Sequence, residues 1–205
     1  MKYTTLRDKI KTGDIVLFSG KGGISTGIKW ATSSKWSHVG MIYCIPEHNL
    51  VLLWESTTLS NIEDIDEKRA KKGVQLVPFS ERLLKYNGEF AVRMLSKDLD
   101  STQLQKLVEF RTEVRGRDYE KSEIELVKSA YDGPFGKNQE DLSSLFCSEL
   151  VAEAYQRMGL LPEAKVKPSN EYTPSDFSSQ ANLNDLPLIN GYTLGRETTV
   201  DVTII

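Results

Sequence analysis

The chain has 205 residues, of which 39% are hydrophobic and 27% charged, a composition typical of globular proteins. Its 26 Lys and Arg residues against 29 Asp and Glu residues give a net charge of -3, which argues against a nucleic-acid partner. We expect a single domain spanning residues 1–205, with no transmembrane segment because no apolar run approaches the length needed to cross a bilayer.

A strand, a glycine-rich loop and a helix are predicted near the start of the chain. Residues 14–18 form a short apolar run typical of a buried strand, 20–23 read as a loop and 25–33 as a helix. A phosphate-binding loop is one interpretation, but that motif needs Gly-Lys directly before Ser or Thr, and Ile24 precedes Ser25 here. We interpret the glycines instead as a rim of an active-site cleft.

A β-hairpin follows, and it contains the best candidate for a catalytic base. Residues 37–43 and 50–55 are strand-like, and the segment between them has the composition of a turn. The chain has two histidines. His48 lies in the predicted turn, where it points away from any core, so His38 on the first strand is the candidate base.

The length of this turn determines which carboxylate reaches His38. A turn centred between residues 47 and 48 pairs Gly40 with Glu55 and His38 with Thr57, so that Glu55 lies diagonal to His38 on the same face of the sheet. Diagonal residues are roughly 7–8 Å apart at their backbones, within reach of a carboxylate that orients an imidazole. A slip of one residue would turn Glu55 to the other face, and Ser56 or Thr57 would then be the orienting group.

The middle of the chain predicts two further strands and a helix. Residues 61–72 are highly charged and are expected to form an exposed loop or lid. Strands are predicted at 74–77 and 90–95, and a helix over 101–114. The apolar residues expected to define the buried face of that helix are Leu104, Leu107, Val108 and Val114.

A later helix contains the candidate nucleophile. After a predicted helix at 119–131 and turns at 132–138, an apolar stripe at helical spacing comprises Cys147, Leu150, Val151, Ala154, Tyr155 and Met158. With Ser144 as N-cap and Gly159 as the stop, Cys147 belongs to the first turn, where the helix dipole and unpaired N–H groups favour a thiolate and an oxyanion. Packing alone could also explain Cys147, and the nearby candidate base favours catalysis.

The remaining residues are assigned to structure. Cys44 has no helix cap or base near it and is interpreted as a packing residue. The two cysteines lack the spacing of a metal site and favour a reducing compartment, so we expect a cytoplasmic protein without a metal or other cofactor. Residues 188–189 and 200–205 could add edge strands.

Taken together, these segments resemble a known family, the circularly permuted branch of the NlpC-type papain-like cysteine hydrolases, especially YiiX-like proteins, and more distantly lecithin:retinol acyltransferase. The resemblance spans roughly residues 13–177. It is carried by Gly13-Asp14-Ile15-Val16-Leu17-Phe18, Trp36-Ser37-His38-Val39-Gly40-Met41, Trp54-Glu55, Gly116-Arg117-Asp118-Tyr119 and Phe146-Cys147-Ser148-Glu149-Leu150-Val151.

The resemblance implies an α+β, papain-like fold of permuted topology. An antiparallel sheet or barrel bearing the histidine comes first and packs against a later helix with the cysteine at its N-terminus. By this likeness Cys147 is the nucleophile, His38 the base and Glu55 the orienting acid. Three further residues are predicted to contact substrate, namely Tyr119, Ser37 and Ser148.

The implied activity is that of a cysteine-dependent hydrolase or acyltransferase working through a thioester. The substrate would be an amide or ester of a small, peptide or lipid-like acyl group. Phe146 stands where unpermuted cell-wall peptidases have an aspartate that grips a peptide amine, which argues against cleavage of murein peptides. A murein amidase and a non-catalytic binding protein on the same scaffold are the alternatives.

Overall fold

A computed structural model of the chain describes residues 1–20, 35–117, 139–179 and 186–202, with the side chains of 139–146 excepted. The helices are α1 (Tyr3–Arg7), α2 (Phe79–Lys85), α3 (Ser101–Val114) and α4 (Gln139–Arg157). The strands are β1 (Ile15–Gly20), β2 (His38–Ile45), β3 (Leu50–Thr57), β4 (Glu63–Asp64), β5 (Arg69–Ala70), β6 (Gly73–Pro78), β7 (Gly88–Arg93) and β8 (Thr198–Thr199).

The centre of the molecule is a six-stranded sheet in the order β6-β3-β2-β1-β7-β8. Each neighbouring pair runs antiparallel. The strand bearing His38 and the strand bearing Glu55 therefore lie next to each other in the interior of the sheet, where neighbouring strands on both sides hold them in place.

Each face of the sheet carries its own hydrophobic core. Val39 and Met41 of β2 belong to a core that includes residues of α3 and α4. Ile42 of the same strand belongs to a second core that includes residues of α1 and α2. This division follows from the strand geometry, since successive side chains point to opposite faces. The fold is thus a sheet between two helical layers.

The hairpin has the predicted register. Met41 pairs with Trp54 and Cys44 with Val51, which continues to the expected pairing of Gly40 with Glu55. The loop is a 3-10 turn at Pro46–His48, closed by a residue at φ 51°. A Cβ at Gly40 would lie 3.3 Å from the Glu55 Cβ and 2.9 Å from Leu53. The glycine therefore leaves space for the strand that carries Glu55.

Helix α4 confirms the predicted buried stripe and its stop but not its start. All six residues of the stripe are buried. Gly159 has φ +71°, and the N–H groups of Gly159 and Leu160 donate to the carbonyls of Gln156 and Tyr155 in a Schellman ending. The helix begins at Gln139 rather than at a Ser144 cap, so Cys147 lies inside the helix and not in its first turn.

An exposed loop was expected at residues 61–72, and the structure differs from this expectation. The segment contains the small hairpin of β4 and β5, and its residues Ile62, Asp64 and Lys71 are buried. The Asp64 carboxylate accepts the N–H groups of Glu67 and Leu76 at 2.6 Å each. These hydrogen bonds tie the charged segment to β6, which is why its charges do not make it a free loop.

Two other predictions need correction. Helix α3 has the predicted bounds, but Leu104 and Val108 are exposed, and Gln103 and Phe110 complete the buried face instead. At the C-terminal end the edge strand is Thr198–Thr199, and residues 188–189 are not in a strand. In α3, local hydrophobicity was a poor guide because only one face of the helix packs against the core.

Some predictions fall outside the described residues. These are the helices at 25–33 and 119–131, the turns at 132–138, most of the glycine-rich loop and Tyr119. Among the helices that the structure does describe, none combines the length and hydrophobicity needed to cross a membrane.

The corrected face of α3 predicts unequal effects of two leucine substitutions. Leu107→Ala should lower the free energy of unfolding by about 2–5 kcal/mol, because truncating a fully buried leucine leaves a cavity. Leu104→Ala removes the same atoms from a residue that is 38% exposed and should cost less than about 1 kcal/mol. Urea unfolding followed by circular dichroism measures both, and equal losses would contradict this arrangement of the helix.

Candidate active site

The centre of the candidate site is a short hydrogen bond between His38 and Glu55. The Nε2 atom of His38 lies 2.6 Å from Oε2 of Glu55. Because an ionised carboxylate can only accept, Nε2 carries a hydrogen and donates it. The Glu55 side chain is 1% exposed and that of His38 12%. The predicted diagonal arrangement on the hairpin is therefore present, and Glu55 rather than Ser56 or Thr57 contacts the imidazole.

The second oxygen of Glu55 is held by a buried arginine. Nε of Arg82 donates to Oε1 of Glu55 at 2.7 Å, and the arginine side chain is 0% exposed. The other two nitrogens of this guanidinium donate to Asn61 at 2.9 Å and Gln75 at 3.1 Å. Glu55 thus bridges an imidazole and a guanidinium, each through a separate oxygen.

Cys147 lies close enough to His38 to raise the pKa of its imidazole. Cys147 is fully buried on α4. His38 is the first residue of β2 and therefore lies at the edge of the sheet where that strand begins. The three residues predicted from the sequence as nucleophile, base and acid thus lie close together, with Glu55 hydrogen-bonded to the imidazole and Cys147 near it.

Neighbouring charges and hydrogen bonds shift the pKa values of His38 and Glu55. Burial alone disfavours the imidazolium, but the charge and hydrogen bond of Cys147, followed by those of Glu55, outweigh it and raise the pKa of His38 to about 10. Burial alone would raise the pKa of Glu55, yet the Arg82 guanidinium and the His38 contacts hold it below its ordinary value. The arrangement favours a charged imidazole beside the ionised Glu55 carboxylate.

The position of Cys147 inside α4 changes the source of this activation. A first-turn position would leave the N–H of Cys147 unpaired, as the sequence predicted. In the interior of a helix, the N–H of a residue instead takes part in the helical hydrogen bonding. The helix dipole is weak beyond the first turn. The imidazole is therefore the main group that can stabilise a thiolate here.

The other predicted site residues have distinct surroundings. Ser37 is buried beside His38, and its hydroxyl donates to the carbonyl of Phe18 at 3.5 Å. Burial raises the pKa of Tyr86 to about 12. The hydroxyl of Ser148 donates to the carbonyl of Tyr172 at 2.6 Å, so this bond anchors the start of the stripe. Tyr119 lies outside the described residues.

The sequence did not point to Arg82. Helix α2 was not predicted, although Phe79, Arg82 and Leu83 have the i, i+3, i+4 spacing of one buried helical face. An arginine on such a face needs a buried partner, since a charge cannot be buried alone without a large cost. That spacing was the signal available for finding it.

Metal binding has no ready set of ligands in the part of the chain that the structure describes. Within it, no group of three or more His, Cys, Asp and Glu side chains is arranged to hold a metal ion. The His38 imidazole instead engages Glu55 through Nε2 and has Cys147 near it.

The coupling between Cys147 and His38 can be measured directly. Histidine nitrogen NMR should show His38 as an imidazolium through neutral pH, losing its proton only near pH 10. Its contribution to stability should be complete below the ordinary value of 6.5 and be lost as pH rises through about 10. Cys147→Ala should move the titration to lower pH, because it removes the largest influence that raises this pKa. A wild-type titration near 6.5 would contradict the arrangement.

Comparison with known proteins identifies the family to which this site belongs. One solved structure with similarity to the chain is titled as that of the metalloprotein YiiX from Escherichia coli O157:H7, at 19% identity, with 93% of this chain and 96% of that chain covered and a TM-score of 0.47. No curated protein matches the sequence. The family described as permuted papain-like amidase enzymes, YaeF/YiiX, C92, matches residues 9–186. The chain therefore belongs to the permuted papain-like amidase family, and its fold is the α+β, papain-like fold of permuted topology.

Proposed function

We propose that the chain is a cysteine-dependent amidase in which Cys147 is the nucleophile, His38 the general acid and base, and Glu55 the residue that orients the imidazole. The observation that supports this proposal is the hydrogen bond between His38 and Glu55, with Cys147 near the same imidazole. Membership of an amidase family supports the reaction class. The residue roles are inferred from the geometry and chemistry of these three groups.

We derive the proposed reaction from a thiolate at Cys147, an imidazolium at His38 and a carboxylate at Glu55. The Cys147 thiolate attacks the acyl carbon, a C–S bond forms and the carbonyl electrons move to oxygen. As they return, the C–N bond breaks and the His38 imidazolium gives its proton to the leaving amine, which leaves a thioester on the sulfur. The now neutral imidazole takes a proton from water, and the hydroxide attacks the thioester carbon to form a C–O bond. The C–S bond then breaks, the carboxylic acid departs, and the thiolate is regenerated beside the imidazolium. Glu55 keeps the ring in one orientation during both proton transfers.

For the substrate, we propose an acyl amide or ester of a small or lipid-like compound. Phe146 immediately precedes Cys147, and an aromatic side chain there offers no charge to a peptide amine. If the acyl acceptor is another alcohol or amine rather than water, the same thioester gives acyl transfer. We also propose Ser37, Ser148 and Tyr119 as substrate contacts.

We also propose that the protein works in a reducing compartment such as the cytoplasm. Cys44 and Cys147 are both free. A catalytic thiolate must remain unoxidised to attack a carbonyl, and reducing compartments keep thiols in that state.

The first test compares the two cysteines of the same chain. At neutral pH, iodoacetamide should alkylate Cys147 at least about tenfold faster than Cys44, since the imidazole stabilises one thiolate while burial raises the pKa of the Cys44 thiol. Peptide mass spectrometry resolves the two sites. His38→Ala should slow alkylation of Cys147 to the rate of Cys44, and Cys44→Ala should leave the rate at Cys147 unchanged. Similar rates at both cysteines in the wild type would rule out an activated nucleophile.

The second test traps the acyl-enzyme. Incubation with activated acyl esters, short peptides and lipid amides should add the mass of one acyl group to the wild type and none to Cys147→Ala. Glu55→Gln should slow hydrolysis by at least about tenfold, because an amide no longer fixes the imidazolium. Each assay is run with and without EDTA. A folded protein that binds these compounds without an adduct or turnover would favour the binding-protein alternative, and loss of activity in EDTA would contradict the metal-free mechanism.

A further inference from the structure

Arg82 is a fully buried cation with no place in the reaction as described so far. It binds the oxygen of Glu55 that faces away from His38, at 2.7 Å. We propose that Arg82 is a positioning residue of the same site, which keeps Glu55 ionised and fixed and balances the charge of the Cys147 thiolate. The inference rests on the proposed function and adds Arg82 to the three residues that the proposed function names.

The charges of the site balance only when Arg82 is included. A thiolate at Cys147, an imidazolium at His38 and a carboxylate at Glu55 together carry one net negative charge. Each is buried or nearly so, and an uncompensated buried charge is costly. The guanidinium of Arg82 adds one positive charge and brings the sum of these four groups to zero. Without it, the site would take up a proton more readily and the thiolate would form only at higher pH.

Arg82 is also held rigidly enough to fix Glu55. Two of its nitrogens donate to the side-chain oxygens of Asn61 and Gln75. The amide nitrogen of Gln75 in turn donates to the carbonyls of Leu59 and Lys71, at 2.9 Å each. The carboxylate is therefore fixed at both oxygens, one by the arginine and one by the imidazole, and it cannot rotate away from His38 without breaking a buried ion pair.

Among the residues that the structure describes, other ionisable groups around the site do not replace this charge. Tyr86 lies close to Glu55 and Cys147, but burial raises its pKa to about 12, so it is neutral in the working range. The ammonium of Lys71 donates to the carbonyl of Arg117. On α2, Lys85 donates to the carbonyl of Asn61 and to Glu81, in an exposed position. Arg82 is the cation in direct contact with the Glu55 carboxylate on the side away from His38.

The test is the pH dependence of Cys147 alkylation by iodoacetamide, a reading that needs no substrate. In Arg82→Gln the rise of the rate with pH should move upward by about one pH unit, as expected for loss of a nearby opposite charge. Arg82→Lys keeps the charge but not the three-sided geometry. Its profile should stay close to that of the wild type, while its hydrolysis of the acyl ester identified by trapping falls about tenfold in kcat with KM little changed.

A matched pair at the surface serves if Arg82→Gln does not fold. Asn61 is exposed, so its substitutions should leave the core intact. Asn61→Asp places a carboxylate against the guanidinium and should move the profile upward by a smaller amount, which high salt reduces. Asn61→Ala removes the same hydrogen bond without adding charge and should leave the profile in place. Arg93→Gln removes another buried arginine, one that binds the carbonyls of Phe177, Leu194 and Gly195, and should not move the profile.

The outcomes separate this inference from the proposed function. An unreactive Cys147 in the wild type would overturn both. A reactive wild-type Cys147 with an unmoved profile in folded Arg82→Gln, or in Asn61→Asp where the former does not fold, would overturn the role of Arg82 alone. An equal shift in Arg82→Lys and Arg82→Gln would also overturn it, since charge would then not be the cause.

Discussion

Burial of the Glu55 carboxylate is the constraint on which the site depends. A carboxylate at 1% exposure stays ionised only if its partners replace the water it has lost. His38 and Arg82 do this by taking one oxygen each. Strand β2 carries His38 and helix α2 carries Arg82, so these two elements bring the partners to Glu55 on β3. The hydrogen bonds to both oxygens of Glu55 offset the free-energy cost of removing its carboxylate from water.

The sequence predicted those parts of the site that depend on local spacing. The length of the turn before Asn49 determines the pairing of β2 with β3, and that pairing brings Glu55 to His38. Helical spacing likewise predicted the buried stripe that starts at Cys147. Period-two and period-3.6 patterns carry such information because a single element suffices to define each of them.

The parts that were missed depend on contacts between distant segments. Arg82 reaches Glu55 only because α2 packs against β3, the strand that carries Glu55. Asp64 looks like an exposed charge until its carboxylate is seen to accept the N–H of Leu76. Leu104 is apolar but faces solvent, because the position of the sheet decides which side of α3 is covered. Composition and periodicity along one segment contain no information about these neighbours.

The two-core construction described for the sheet has a consequence for chain order. Arg82 comes from a layer on one side of the sheet and Cys147 from the layer on the other, and His38 joins them at the end of a strand. Each layer is held by its own apolar packing and not by the peptide links between layers. Those links can therefore be cut and joined elsewhere, so evolution can rearrange the order of the segments while the reacting atoms keep their places.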